Sequence, residues 1–169
     1  MNTIGRAVGL TILSMLVAGA ATAAKTSTNP LADRVRAAND RFKDVGVAVM
    51  EGYTPIPCAD GADGGSMGIH YVNAKYLSDD AIVLKHPEAI LYEPTPDGKL
   101  NLVAVEYITF KGPAAALDGH LFNFNDAPNR YGLNPFYGLH VWAWKANPAG
   151  TFADMNMNVS CDAVPLDPK

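Results

Sequence analysis

Three residues carry the side chains best suited to chemistry in this sequence: His70, Glu106 and His140. Each lies in a run of apolar, aromatic or β-branched residues that is typical of a strand. Two imidazoles and a carboxylate that project from neighbouring strands form a ligand set for a first-row transition metal such as zinc or copper. The sequence therefore predicts a metal site with His70, His140 and Glu106 as ligands, and with coordination positions left for water or a small molecule.

Two other interpretations of these residues stay open. Without a metal, Glu106 and a histidine such as His140 could serve as catalytic acid and base in an enzyme of the hydrolase or isomerase type. Alternatively, Glu106 and a histidine could form a hydrogen-bonded pair in the core of a structural or interaction module. The sequence has no His-x-His or His-x-x-x-His spacing, so spacing alone does not separate these interpretations.

Aromatic residues beside the histidines suggest a binding pocket. Tyr71 follows His70, and Trp142 lies two residues after His140. Such side chains line pockets for small molecules. They are equally typical of ordinary packing within a sheet.

The strand that contains His140 organises the rest of the chain. Residues 137–145 are rich in aromatic and β-branched side chains, which favour a strand. Alternation along a strand predicts that His140, Trp142 and Trp144 share one face. Because both faces carry apolar bulk, we expect a central strand that is covered on both sides.

Two further strands must position Glu106, and a third must position His70. Residues 89–93 and 100–110 flank a turn that contains Asp97-Gly98, a pattern that predicts a β-hairpin. In its second strand, Glu106 shares a face with Leu102 and other apolar residues. Residues 69–72 predict a short strand that carries His70.

Apolar residues recur at steps of four and three from Leu31 to Tyr53, which predicts one amphipathic helix of about 22 residues. Asn29 can cap its first amides, and Pro30 suits the first helical position. A helix followed by hairpin-connected strands favours the α+β class, with a long N-terminal helix packed on a curved antiparallel β-sheet. A small β-barrel with a covering helix is the alternative.

The less regular segments are expected to cover this sheet. Residues 112–130 combine glycine, proline and alanine and predict a loop or short helix over one end of the sheet. Long loops in compact domains often act as functional lids. Residues 152–160 predict a last strand.

The first 24 residues have the pattern of a secretory signal peptide. One arginine precedes an apolar run at residues 7–18, and small residues at 21–24 offer a cleavage site. No later run reaches the ~18 apolar residues of a membrane span. We therefore expect residues 25–169 to form a single α+β domain that is secreted or periplasmic.

Two cysteines, Cys58 and Cys161, remain in this domain. An even pair in an exported chain predicts a disulfide, worth about 4–5 kcal/mol for so long a loop. A pair of thiolate metal ligands is the alternative. The formal charge of −4 and the lack of a basic run argue against nucleic acid as a partner and favour a metal ion or small molecule.

Several sequence blocks together resemble a group of uncharacterised exported bacterial proteins. Two of them are GSMGIHYVN at residues 65–73 and YGLHVWAWKANPAG at residues 137–150, and the others lie at residues 42–45, 51–53, 88–94 and 100–107 and at Cys161. The resemblance implies export and one shared domain, and it implies no activity. Together with the residues above, it leads us to expect an exported small domain that binds a metal ion or small molecule at a His/Glu cluster on the sheet.

Overall fold

An antiparallel sheet forms the centre of this computed structural model, which describes residues 29–112 and 116–164. The predicted signal peptide lies outside these residues. The sheet has seven strands, which run in the order β1-β3-β4-β5-β9-β8, with β2 also paired to β3. These strands are Tyr53–Pro55 (β1), Ala59–Asp60 (β2), Ser66–Asn73 (β3), Ala89–Pro94 (β4), Leu100–Thr109 (β5), Asn123–Asn125 (β8) and Phe136–Val141 (β9).

The remaining elements are short. Two strands, Ala116–Leu117 (β6) and His120–Leu121 (β7), form a separate hairpin. The helices are Pro30–Asn39 (α1), Val45–Met50 (α2) and Ala74–Asp79 (α3), with a 3-10 turn at Asp40–Lys43. Mixed helix and antiparallel sheet confirm the α+β class. The sheet is open, neither curled nor closed, so the curved sheet and the barrel alternative are both wrong.

The predicted long helix is wrong because the chain leaves the helical conformation at Asp44. Helix α1 begins as predicted, with the Asn29 side chain accepting hydrogen bonds from the amides of Leu31 and Ala32. Asp44 then adopts an extended conformation, with φ −91° and ψ 105°, and its carboxylate accepts from the Gly46 amide at 2.8 Å. An aspartate side chain that bonds nearby amides competes with helix continuation, and here it starts α2 instead.

The helices pack on one face of the sheet, which we call the helix face. Near α1, buried side chains from β5 and β9 form one apolar cluster that includes Val35, Tyr107 and Leu139. Near α2, a second cluster includes Phe42, Ala48, Tyr53, Ile90, Tyr92 and Leu102. The opposite face, which we call the site face, carries Leu91, Ala104 and Trp142.

A β-bulge changes the predicted alternation in the hairpin. Leu91 pairs with Ala104, but the next residue, Tyr92, pairs with Leu102, so Val103 is an extra residue. Leu102 therefore packs on the helix face rather than sharing a face with Glu106.

The predicted common face of three residues in the last long strand is wrong at Trp144. Strand β9 ends at Val141, and the Trp144 amide donates to the Val103 carbonyl at 3.2 Å. The Trp144 ring then turns to the helix face, where its Nε1 donates to Asp40 Oδ1 at 3.1 Å. Only His140 and Trp142 stay on the site face.

The predicted disulfide is confirmed, and it joins two residues 103 positions apart. Cys58 and Cys161 are bonded, with their Cα atoms 5.9 Å apart. The bond fixes the segment before β2 to the end of the described chain beside β3, where Ser66 Oγ lies 3.1 Å from Cys161 Sγ. Across residues 29–112 and 116–164, no helix has the length and apolar character needed to cross a membrane.

Candidate functional site: a buried His/Glu cluster

His70, Glu106 and His140 meet on the site face, as the sequence predicts. They come from β3, β5 and β9, and Glu106 lies directly opposite His140 in the register. Glu106 Oε2 lies 3.6 Å from His70 Nε2 and 3.8 Å from His140 Nε2. The three ligand atoms all lie within 4.8 Å of one another. We call these three residues the His/Glu cluster.

The three side chains of the cluster are almost sealed from solvent. His70 is 0%, Glu106 1% and His140 4% exposed. Neither His70 Nε2 nor His140 Nε2 has a hydrogen-bond partner among the described residues. The distances to Glu106 exceed the ~2.7–3.2 Å of an ordinary hydrogen bond. Because an unsatisfied buried polar atom costs about 1–3 kcal/mol, the cluster has the character of a ligand set and could hold a metal ion.

Gly138 makes room for the Glu106 carboxylate. A Cβ atom at position 138 would lie 2.7 Å from Glu106 Oε1 and 3.2 Å from a ring carbon of Phe136. A real Cβ is not found that close to such an atom. The absence of a side chain at Gly138 therefore permits the position of Glu106.

Tyr131 covers the cluster from the loop before β9. Its hydroxyl donates a hydrogen bond to Glu106 Oε2. Its ring packs edge-on against His70, with centroids 5.7 Å apart. Burial, reinforced by the charge of Glu106, raises the pKa of Tyr131 well above its usual value, so the hydroxyl stays a neutral donor.

Asp154 orients the ring of His140. His140 Nδ1 lies 3.2 Å from Asp154 Oδ1, and the same oxygen accepts from Asn123 Nδ2 at 3.1 Å. The hydrogen bond with His140 lowers the pKa of Asp154. Burial lowers the pKa of His140, but the carboxylates of Glu106 and Asp154 outweigh burial and raise it. When the ring is neutral and donates Nδ1–H to Asp154, the Nε2 lone pair of His140 faces the cluster, an arrangement typical of metal-bound histidines.

Arg130 lies on the other side of the cluster, against His70. Its Nη1 is 3.3 Å from His70 Nδ1, and its Nη2 donates to the Pro57 carbonyl. Burial, followed by the positive charges of Arg130 and His140, lowers the pKa of His70 well below its usual value. The His70 ring is therefore uncharged at neutral pH. Because a guanidinium can only donate, His70 Nδ1 accepts from Arg130 and the ring proton lies on Nε2, so that proton must move to Nδ1 before Nε2 can bind a metal.

The structure does not bring the two predicted pocket residues together. Trp142 is buried on the site face, stacked on His140 with ring centroids 6.4 Å apart. Tyr71 packs edge-on against Tyr92 on the helix face, with centroids 5.1 Å apart. Because Tyr71 and Trp142 lie on opposite faces of the sheet, they do not line one pocket.

Sequence analysis missed three residues that contact the cluster: Arg130, Tyr131 and Asp154. All three lie outside helices and strands. Residues 112–130 are expected to cover the sheet, and the segment after them does supply Tyr131. Residues 152–160 are predicted as a strand, but they form an irregular segment that makes only an isolated bridge, Ser66 with Asn156.

Comparison with known proteins identifies no family for this chain. No protein-family model, no curated protein and no solved structure matches the chain. The function is therefore argued from the site itself.

Proposed function

We propose that this protein is an exported domain that binds one first-row transition metal ion, zinc, at the His/Glu cluster. The ligands are His140 Nε2, the Glu106 carboxylate and His70 Nε2, the last once its proton has moved to Nδ1 and Arg130 Nη1 has turned away from that nitrogen. One observation carries the proposal: two buried imidazole nitrogens, without hydrogen-bond partners in the part of the chain that the structure describes, lie near the same carboxylate oxygen.

The distances suit a tetrahedral ion. Zinc bonds to histidine nitrogen and carboxylate oxygen at ~2.0–2.2 Å, so its donors lie about 3.4 Å apart. The separations of 3.6 and 3.8 Å within the cluster are close to this value. All three ligand atoms lie within 4.8 Å of one another, so an inward shift of these side chains would complete the three-ligand set, and the fourth position would go to a water or another small ligand.

The surroundings of the cluster also suit a metal. Tyr131 holds the carboxylate, and Asp154 accepts from His140 Nδ1, so that loss of the other ring proton frees Nε2 for a metal. Such outer contacts raise metal affinity by fixing the ligands in place. Two imidazoles and one carboxylate are also the ligands of many catalytic zinc sites.

The two alternative functions have less support. A structural His–Glu pair would show a hydrogen bond between the two side chains, and both separations are too long for one. An acid–base enzyme needs its groups within reach of a substrate, whereas the three side chains are at most 4% exposed. Export is supported by the Cys58–Cys161 disulfide, which is typical of oxidising compartments.

Elemental analysis of the purified protein tests the proposal. We expect about one zinc ion per chain in the wild type and loss of the metal in His140→Ala and Glu106→Gln. X-ray absorption at the zinc edge should show nitrogen and oxygen neighbours at ~2.0–2.2 Å. Copper bound with the same stoichiometry would overturn the choice of zinc but retain the site.

His86→Ala is the matched control, because His86 stacks on Tyr76 and takes no part in the cluster. This variant should keep its zinc. Wild-type protein that takes up no metal after exposure to zinc, or a His140→Ala variant that still binds one ion, would contradict the proposal.

A further inference from the structure

Arg130 differs from the other arginines of the described chain. Arg34, Arg36 and Arg41 each pair with a carboxylate, at Asp118, Asp33 and Glu51. Within residues 29–112 and 116–164, Arg130 makes no such ion pair. It contacts the Pro57 carbonyl, Met67 Sδ and His70 Nδ1, and its guanidinium lies 5.6 Å from the centroid of the Tyr131 ring. Its guanidinium thus has the donors to bind an anion that the described chain does not supply.

A cavity of about 390 Å³ lies beside this guanidinium. Pro57, Met67 and Met155 give it apolar walls, and Arg130 supplies a positive charge. Asp60 also lines the cavity and is exposed. The Cys58–Cys161 disulfide holds this wall, because Cys58 lines the cavity as well.

We propose that this cavity binds a short-chain monocarboxylate. The carboxylate pairs with the guanidinium of Arg130, whose planar fork matches two carboxylate oxygens. The aliphatic chain lies against the side chains of Met67 and Met155, whose flexible thioethers adapt to apolar ligands. The negative charge of Asp60 in the same cavity disfavours a ligand with a second anionic group.

The same ligand would strengthen metal binding, and this second step rests on the proposed function. Arg130 Nη1 lies 3.3 Å from His70 Nδ1, so a guanidinium charge sits next to a metal ligand. Like charges repel, so Arg130 weakens the binding of a divalent cation by the cluster. A carboxylate on Arg130 neutralises that charge, and the coupling must be reciprocal: zinc should strengthen carboxylate binding by the same factor.

Calorimetric titration with butyrate tests the cavity in both metal-free and zinc-loaded protein. We expect wild type to bind butyrate and Arg130→Met to bind it at least about tenfold more weakly, because the charged partner is lost. Arg130→Lys keeps the charge without the fork and should fall between the two. Arg34→Met is the matched control, since Arg34 pairs with Asp118 away from the cavity, and it should bind butyrate like wild type.

Several outcomes would overturn the inference. Equal butyrate affinity in wild type and a folded Arg130→Met would show that Arg130 does not bind the carboxylate. No heat with butyrate in the wild type would show that the cavity is not a carboxylate site. Inorganic phosphate or chloride that binds as tightly as butyrate would overturn the carboxylate class. Zinc affinity, measured by competition with a chelating dye, should rise with butyrate in wild type and not in Arg130→Met. Binding of butyrate without any binding of zinc would contradict the proposed zinc site and would still support the carboxylate site in the cavity.

Discussion

The two faces of the sheet are built in different ways. The helix face is apolar and is covered by regular elements, α1 and α2, whose side chains fill two clusters. The site face buries two histidines and a glutamate, and irregular segments cover it with Arg130, Tyr131 and Asp154. The helix face therefore holds the sheet together through packing, whereas the site face gives up apolar burial to keep polar groups in a fixed arrangement.

This difference separates stability from function in the molecule. Apolar packing is non-directional and tolerates small shifts, so the helix face needs only the right volume. The cluster depends on directions and distances, and its cover must be held from outside. On the site face, the disulfide and side-chain hydrogen bonds hold the covering segments in place. On the helix face, the packing of α1 and α2 does this.

Removal of the disulfide should have the largest effect on stability. It tests whether this bond holds the irregular segments that cover the site face. The double variant Cys58→Ala/Cys161→Ala should lose about 4–5 kcal/mol of unfolding free energy, because the bond closes a loop of 103 residues. Urea unfolding followed by circular dichroism measures the loss. Zinc affinity should fall at the same time, since Cys161 ends the irregular segment that carries Asp154, and Asp154 orients His140. A loss below about 1 kcal/mol would show that side-chain contacts alone hold the cover.

Truncation of Phe42 tests the helix face. Phe42 is 0% exposed and packs against Tyr53 with ring centroids 5.3 Å apart. Phe42→Ala should lose about 3–5 kcal/mol of unfolding free energy, yet the folded protein should keep its full zinc content. Phe110→Ala is the matched control: Phe110 is 40% exposed, and its loss should change stability by no more than about 0.5 kcal/mol. Loss of zinc in Phe42→Ala would show that the two faces are not separable.

An added methyl group at Gly138 should weaken zinc binding more than it destabilises the fold, which is the reverse of the effect expected for Phe42→Ala. Gly138→Ala places a Cβ 2.7 Å from Glu106 Oε1 and should displace the carboxylate, so zinc affinity should fall by about 10–100-fold. The cost in stability should be smaller, about 1–3 kcal/mol, as for other overpacked sites. The same substitution in a Glu106→Ala background should cost less stability, because the clashing oxygen is gone. Equal costs in both backgrounds would contradict the role assigned to Gly138.

Glu88 is a second buried carboxylate, apart from the His/Glu cluster. Its Oε2 accepts from the Ile108 amide, but its Oε1 has no partner among the described residues, and burial raises its pKa to about 8. The folded state therefore holds a proton that the unfolded chain loses near its ordinary pKa of 4.5. Stability should fall as the pH rises from about 5 to 8, with a slope of at most about 1.4 kcal/mol per pH unit from this group.

Unfolding in urea at a series of pH values measures this slope in wild type and in Glu88→Gln. The glutamine cannot ionise, so its slope should be flatter. Glu51→Gln is the matched control: Arg41 lowers the pKa of Glu51, so this carboxyl is ionised in both states over the same range. A slope unchanged by Glu88→Gln would show that Glu88 is already charged in the folded protein.

Sequence patterns predict the regular half of this molecule well. The Asn29 cap, the hairpin of β4 and β5, and the convergence of His70, Glu106 and His140 all follow from local rules of capping, turns and alternation. Alternation places each of these side chains on one face of its own strand, and residues paired across adjacent antiparallel strands share a face.

The rest depends on contacts that local patterns do not contain. The bulge at Val103 and the break at Asp44 are small changes in backbone path that single residues permit but do not require. Tyr131 and Asp154 reach the cluster from irregular segments, whose course is set by tertiary contacts and has no period to read.

The spread of the cluster along the chain also fixes when a metal can enter. His70 and His140 are 70 residues apart in the numbering, and Asp154, which orients His140, comes later still. A nascent or translocating polypeptide holds at most fragments of this ligand set, and fragments bind weakly because the unfolded chain must be ordered at the same time. If the cluster holds a metal, as we propose, the ion would be selected late, from the metals of the compartment where folding finishes.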